Sequence, residues 1–339
     1  MWHVAAKTPL CQTHFTYCQN FMPKHILITG GAGFIGSCLS DKLLLDKSLQ
    51  IVCLDNFDNF YAPQLKHRNI SQAQQQANYR LIVGDISQPA TFENQLSDYH
   101  FDTIIHLAAK AGVRPSILQP DLYYETNVKG TQNLLTFAQK RGIKQFIFGS
   151  SSSVYGINPK VPWVEADTDF MPISPYASTK ISAEMLGHVY AHLYDMQFIA
   201  LRFFSVYGER QRPDLAINKF VTAIDQQQPI PFFGDGSISR DYTHVADITD
   251  GIIAALNYSK TAYEVINLGN GTSVSLRDMV QCLGKVMQQD VLIDYLPDQA
   301  GDVPQTCADI GKAQQLLGYK PKISLEEGLQ RYVAWWRRQ

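Results

Sequence analysis

A glycine-spaced turn near the start of the chain, Gly30-Gly31-Ala32-Gly33-Phe34-Ile35-Gly36, constrains the fold more than any other feature because of what flanks it. His25 to Thr29 before it is a short β-rich run, and Phe34 to Leu45 after it carries apolar residues at helical spacing. In a strand-turn-helix context Gly30 permits the turn, Gly33 lets backbone approach a pyrophosphate, and Gly36 lets helix and strand pack closely. The helix N-terminus then faces the phosphates. Asp55 closes the next β-rich run, Ile51 to Leu54, 25 residues after Gly30. A carboxylate there accepts ribose hydroxyls and repels a 2'-phosphate, so NAD is the expected cofactor rather than NADP. Asp85, after Leu81-Ile82-Val83-Gly84, is expected at the adenine end.

Further β-rich runs at Arg80 to Val83, Thr103 to Leu107, Gln145 to Ser150 and Phe198 to Phe203 alternate with helical patterns at Asn127 to Lys140 and from Tyr176 to Tyr194. That alternation predicts an α/β fold, a Rossmann-type doubly wound parallel sheet covered on both faces. Beyond about residue 205, Pro213, Pro229, Pro231, Gly234 and Gly236 break the chain into short elements. A smaller C-terminal α/β substrate-binding lobe is expected there. The predicted division is therefore 1–23 as an N-terminal extension, 24–204 as mainly the NAD-binding domain, and 205–339 as mainly the lobe, with segments returning to the first domain.

With 29 Lys and Arg against 31 Asp and Glu, the formal charge is -2, which gives no electrostatic case for nucleic acid or an anionic membrane as partner. Six cysteines (Cys11, Cys18, Cys38, Cys53, Cys282, Cys307) without a CxxC argue against zinc and against a disulfide framework, so a reducing compartment is expected. No apolar stretch approaches the ~20 residues that span a bilayer. His106 and His244 stand at strand ends without a carboxylate cluster, and no metal site is expected.

Tyr176 and Lys180 lie one helical turn apart in Tyr176-Ala177-Ser178-Thr179-Lys180. Residues so spaced share a face, so the ammonium is expected beneath the phenol, where it favours the ionised form. Lowering a tyrosine from its usual pKa of about 10 by roughly three units takes about 4 kcal/mol of differential stabilisation. A lysine together with a nicotinamide cation is the expected source.

These motifs, with His106-Leu107-Ala108-Ala109, Ser150-Ser151-Ser152-Ser153-Val154-Tyr155-Gly156 and Arg240-Asp241-Tyr242-Thr243-His244-Val245, resemble the extended short-chain dehydrogenase/reductase family, specifically its nucleotide-sugar epimerases. The resemblance spans residues 24 to 338. It implies Ser151, Tyr176 and Lys180 as catalytic hydroxyl, base and supporting cation. It implies NAD contacts from Gly30, Gly33, Phe34, Ile35, Gly36, Asp55, Asn56, Asp85, Ile86, Leu107, Ala108, Ala109 and Asn127, with Asn127 helping to hold the lysine or the substrate. Arg114, Ser151, Ser152, Ser205, Arg212 and Arg240 are the implied UDP-sugar contacts, with Arg240 on the diphosphate. A cytoplasmic homodimer serving polysaccharide biosynthesis is the implied setting.

Sugar-nucleotide dehydratases of that family carry an Asp-Glu pair just after the catalytic hydroxyl, where this chain has Ser152 and Ser153. Without an acid and a base, β-elimination lacks its machinery. The segments Asp55-Asn56-Phe57-Asp58-Asn59-Phe60-Tyr61, Ala111-Gly112-Val113-Arg114, Arg212-Pro213-Asp214 and Gly301-Asp302-Val303-Pro304 look like those of UDP-glucuronate 4-epimerases. In those enzymes Ser205 and Arg212 match the segment facing the C6 carboxylate. A neutral UDP-hexose, glucose or N-acetylglucosamine, is the alternative, with Arg212 then paired to Glu209 or Asp214.

Overall fold

The computed structural model describes residues 25–297 and 303–339; the expected N-terminal extension, Cys11, Cys18 and the Gly301-Asp302 pair lie outside them. Strand β1 (His25–Thr29) leads through the glycine turn into helix α1 (Phe34–Leu43). Strands β2 (Gln50–Asp55), β3 (Tyr79–Val83), β4 (Thr103–His106), β5 (Gln145–Ser151) and β6 (Gln197–Phe203) follow. With the strand Tyr263–Leu268 they form one seven-stranded sheet in the order Tyr263–Leu268, β6, β5, β4, β1, β2, β3. Every neighbouring pair is parallel. Two apolar layers cover it, one including Ile28, Cys53, Ile147 and Ile252, the other Leu27, Leu134, Phe146 and Phe198.

The strand order reverses between β1 and β4, so the loops leaving their C-terminal ends diverge and open a crevice. The glycine turn is one wall of it, and the helix packs tightly there because a Cβ on Gly36 would come within 2.4 Å of the Gly30 carbonyl oxygen. The helix Val245–Leu256 and the strand Tyr263–Leu268 return to this body from beyond residue 205, adding Ile248, Ile252 and Ile266 to its core.

A second core is built from Ile217, Phe220, Val221, Leu283 and Tyr332, on the helices Ala216–Asp225, Leu276–Met287 and Leu325–Trp336, with Phe232 from the strand Ile230–Phe233. Trp335 and Trp336 pack against it as partly buried residues. Short paired strands, Ile230–Phe233 with Ile293–Leu296 and Ser205–Tyr207 with Tyr242–His244, frame this part.

One helix begins earlier than its periodicity indicates. The backbone is helical from Pro120, passes through a π-helical stretch at Tyr124–Lys129, and continues as Gly130–Lys140. The wider π turn breaks the regular spacing that pattern reading depends on. Asn127 therefore stands inside the π segment rather than at a helix start.

Candidate active site

A cavity of about 800 Å³ runs along the crevice between the sheet's C-terminal edge and the second core. Gly30, Gly33, Phe34, Ile35, Gly36, Asp55, Asn56, Ile86, Leu107, Ala108 and Ala109 line it from the sheet side. Ser151, Ser152, Tyr176 and Lys180 line its middle, and Arg114, Ser205, Arg212 and Arg240 complete the wall. Among the residues expected from sequence, Asp85 and Asn127 are not on the wall.

Asp55 is buried, and its carboxylate accepts from the Ala32 amide at 3.1 Å and the Phe57 amide at 2.9 Å. It thereby ties β2 to the glycine turn. A Cβ on Gly33 would meet only the Gly30 oxygen, at 3.2 Å, so the cavity reaches the backbone there. Bare backbone at a helix N-terminus beside a strand-end carboxylate fits a dinucleotide. Asp85 does otherwise: it accepts from Asn56 Nδ2 at 2.9 Å and from the Ser87 amide at 2.8 Å and hydroxyl at 2.7 Å. Its carboxylate organises the loop, and its neighbours Gly84 and Ile86 form the wall.

Tyr176 and Lys180 come from the helix Pro175–Leu193, whose start is set by Ser174 capping the Ala177 amide and by Pro175 in the first turn. Ser151, which ends β5, acts on the Tyr176 phenol and lowers its pKa. Ser151 also bonds the Ser153 hydroxyl at 3.1 Å and amide at 3.2 Å. Lys180 differs from expectation. Its ammonium donates to the Gly149 carbonyl at 2.7 Å and lies 5.9 Å from the Tyr176 ring centre. Burial raises the phenol's pKa, opposed by the Ser151 hydroxyl and by the Arg212 charge, not by Lys180. Burial likewise pushes Lys180 down to about 7, opposed by Glu184. An enclosed ammonium takes the nearest fixed acceptor, which here is the strand end.

Behind this pair lies a buried network the sequence reading missed. Glu184, one turn beyond Lys180, accepts from Arg202 Nε at 3.0 Å and Nη2 at 2.8 Å, and from the Ser150 hydroxyl at 2.5 Å. Arg202 lies on β6, with its guanidinium carbon 4.8 Å from the Tyr155 ring centre.

Asn127 holds a loop instead of the lysine. Its Oδ1 accepts from the Lys110 amide at 2.8 Å, while Nδ2 donates to the Lys110 carbonyl at 2.9 Å and to Thr179 at 3.0 Å. It clamps the loop after β4 to the Tyr176 helix.

Arg212 stands on the loop from Gly208 to Leu215, just inside the cavity, and pairs with Asp214 through Nε at 2.9 Å and Nη2 at 2.8 Å. Its guanidinium carbon lies 5.4 Å from the Phe60 ring centre. The neighbouring Glu209 turns away to His244, and Arg210 pairs with Asp41 of α1. Arg240 donates to the Ser239 carbonyl at 2.9 Å, and the Arg114 guanidinium carbon lies 5.9 Å from the Phe233 ring centre. Sequence reading also missed Lys66 and Lys110 on the wall. Lys110 pairs with Asp58 at 2.7 Å, and Lys66 donates to the Asp58 carbonyl at 2.9 Å.

The two histidines have structural settings. His106 bridges Thr29 at 2.7 Å and Thr131 at 2.9 Å, and burial lowers its pKa to about 3, so it is neutral. His244 accepts from the Ala246 amide at 3.2 Å and caps the helix Val245–Leu256.

Residues 27–332 match the protein family described as GDP-mannose 4,6 dehydratase. A UDP-glucuronate 4-epimerase of Thermodesulfobacterium geofontis is 38% identical over 313 residues, covering 92% of this chain and 95% of that protein. The crystal structure of UDP-glucuronic acid 4-epimerase from Bacillus cereus, in complex with UDP-glucuronic acid and NAD, superimposes with a TM-score of 0.85 at 35% identity, covering 93% of this chain and 99% of that one. UDP-glucose 4-epimerase from Thermotoga maritima, solved with UDP-glucose, gives 0.85 at 33% identity, covering 93% and 99%.

Proposed function

The chain belongs to the family described as GDP-mannose 4,6 dehydratase, within the extended short-chain dehydrogenases/reductases, and from that premise we propose that it is an NAD-dependent UDP-sugar 4-epimerase interconverting UDP-glucuronate and UDP-galacturonate. The observation that carries this reading is the meeting of Ser151, Tyr176, Lys180 and Arg212 around one cavity. Ser152 and Ser153 stand where dehydration would need an acid and a base, which speaks against the reaction in the family's description.

Gly30, Gly33, Gly36 and Asp55 would hold NAD, which when bound supplies the hydride acceptor for C4. The chain's own residues handle the proton. Tyr176 takes it from the C4 hydroxyl and returns it, while Ser151, on the cavity wall with the phenol, orients the C4 oxygen. Lys180, turned to the Gly149 carbonyl, braces the end of β5 that carries Ser151, while the Arg212 charge opposes the burial that keeps the phenol protonated. Arg114 and Arg240 hold the diphosphate, suited to it because guanidinium donors match phosphate oxygens in pairs. A grip on UDP and a looser hold on the hexose let the 4-keto sugar turn and present its other face. Ser205 and Arg212 receive the C6 carboxylate.

A neutral UDP-hexose is the second reading, favoured by the Asp214 carboxylate already on Arg212. The expected homodimer is proposed to use the exposed apolar face of Leu118, Leu122, Tyr124, Met185 and Val189, a face whose burial in a symmetric pair would remove it from water. No described helix is long and apolar enough to cross a membrane.

The test is to denature the purified protein, identify the released nucleotide, and separately incubate the native enzyme with UDP-glucuronate. NAD release and a product of unchanged mass with inverted C4 are expected. Predominant NADP would overturn the role of Asp55, and a product lighter by one water would overturn epimerisation.

A further inference from the structure

The Arg212–Asp214 pair occupies an unusual position for an ion pair, because it closes on itself at the place where a charged substrate would have to dock. Both residues line the cavity, and Pro213 between them restricts the local backbone. Phe60 flanks the guanidinium, so the Arg212 side chain is backed by an aromatic ring as well as a carboxylate. A guanidinium already matched by a two-pronged carboxylate offers an incoming carboxylate little net attraction. For a neutral hexose the same arrangement is favourable, since no charge is left unpaired.

Asp214 has freedom to leave. Its side chain is 34% exposed while that of Arg212 is 18% exposed, so the carboxylate can turn toward water as the guanidinium stays on the wall. Lys219, on the following helix and lining the same cavity, acts on the Asp214 charge and offers it a second cation. The contrast is Glu184, fully buried against Arg202, whose departure would strand two charges in the core.

We propose that Asp214 is a specificity-setting counterion: it occupies the Arg212 fork when the bound hexose carries no carboxylate and yields it to the C6 carboxylate of a uronate. The inference rests on the reading of Arg212 as the uronate partner and adds a residue to it. One pocket then accepts charged and neutral UDP-hexoses in a ratio set by this pair. It also follows that removing Arg212 alone harms uronate turnover twice, by losing the cation and by leaving Asp214 to repel the substrate.

The experiment measures kcat/KM for UDP-glucuronate and UDP-glucose on wild type, Arg212→Ala, Asp214→Asn and the double variant Arg212→Ala/Asp214→Ala. Each ratio of charged to neutral substrate is taken within one preparation, so the folded fraction cancels. Asp214→Asn is expected to raise that ratio about tenfold or more, and the double variant is expected to turn over UDP-glucuronate faster than Arg212→Ala. A ratio that is unchanged or lower in Asp214→Asn, or a double variant no better than Arg212→Ala, would overturn the counterion role and mean that Asp214 only orients the fork. If Arg212→Ala lowers both substrates equally, the uronate reading itself fails and the counterion role fails with it. A selective uronate loss in Arg212→Ala with an unchanged ratio in Asp214→Asn refutes Asp214 alone.

Discussion

Glu184–Arg202 and Asp214–Arg212 are the same two-pronged bond in two surroundings, one sealed beneath Lys180 and the other on the wall of the cavity. Arg202 and Glu184 are 2% and 0% exposed, so neither has water as an alternative partner. In that setting a carboxylate and a guanidinium are committed to each other, and the pair fixes the helix Pro175–Leu193 against β5 and β6 through Ser150. Arg212 and Asp214 keep partial access to solvent, so their bond can be exchanged. Burial thus decides whether an ion pair is architecture or part of a site.

Tyr176 is where the two regions meet, held on the helix that the sealed pair anchors and acted on by the charge of Arg212. Tyr176→Phe keeps the ring and removes the proton acceptor, and a loss of kcat of at least 10²- to 10⁴-fold is expected with the thermal midpoint nearly unchanged. Near-normal turnover would remove the shared centre from the comparison. Next in size is Glu184→Ala, which strands a buried guanidinium and is expected to cost about 3 to 5 kcal/mol in denaturant unfolding. The matched Asp214→Ala should cost about 1 kcal/mol or less, because its partner reaches water. Equal costs for the two variants would undo the distinction drawn from burial.

Arg212→Ala should lower UDP-glucuronate kcat/KM by roughly 30-fold, and a neutral UDP-hexose much less, since truncating a desolvated charge contact costs about 2 kcal/mol or more. Steady-state assays on both substrates set this against Arg202, whose loss should act on folding rather than on selectivity. The smallest effect belongs to Lys144–Asp195, an ion pair with both side chains more than half exposed. Lys144→Ala should shift unfolding free energy by less than about 1 kcal/mol. A larger shift would show that exposure is a poor guide to what these pairs do.

Much of the sheet was legible because its signals are local. A strand, three spaced glycines and a carboxylate at the end of β2 follow one another within a single βαβ unit, and Tyr176 with Lys180 needs one helical turn. What escaped depends on partners distant in sequence or on side-chain direction. Nothing local tells that Lys110 meets Asp58, or that the Asn127 amide turns to Thr179 and the Lys110 backbone instead of the lysine. Asp85 stands at the expected strand end, yet Ser87 and Asn56 claim its oxygens. Lys180 shares a helix face with Tyr176 as its spacing dictates, but the Gly149 carbonyl decides where its charge sits. Glu184 had a readable signal, a carboxylate one turn beyond Lys180 on an otherwise buried face. Its arginine partner on β6 did not.

In the proposed reaction the hydrogen on C4 is restored to the same carbon; NAD, when bound, would supply the hydride acceptor, and Tyr176 carries the proton. The decisive measurement uses UDP-glucuronate labelled with deuterium at C4, converted in ordinary water and followed by NMR and mass spectrometry. UDP-galacturonate that retains deuterium at C4 is the expected product. Product carrying protium there would contradict the mechanism, because the hydrogen would then have passed through solvent.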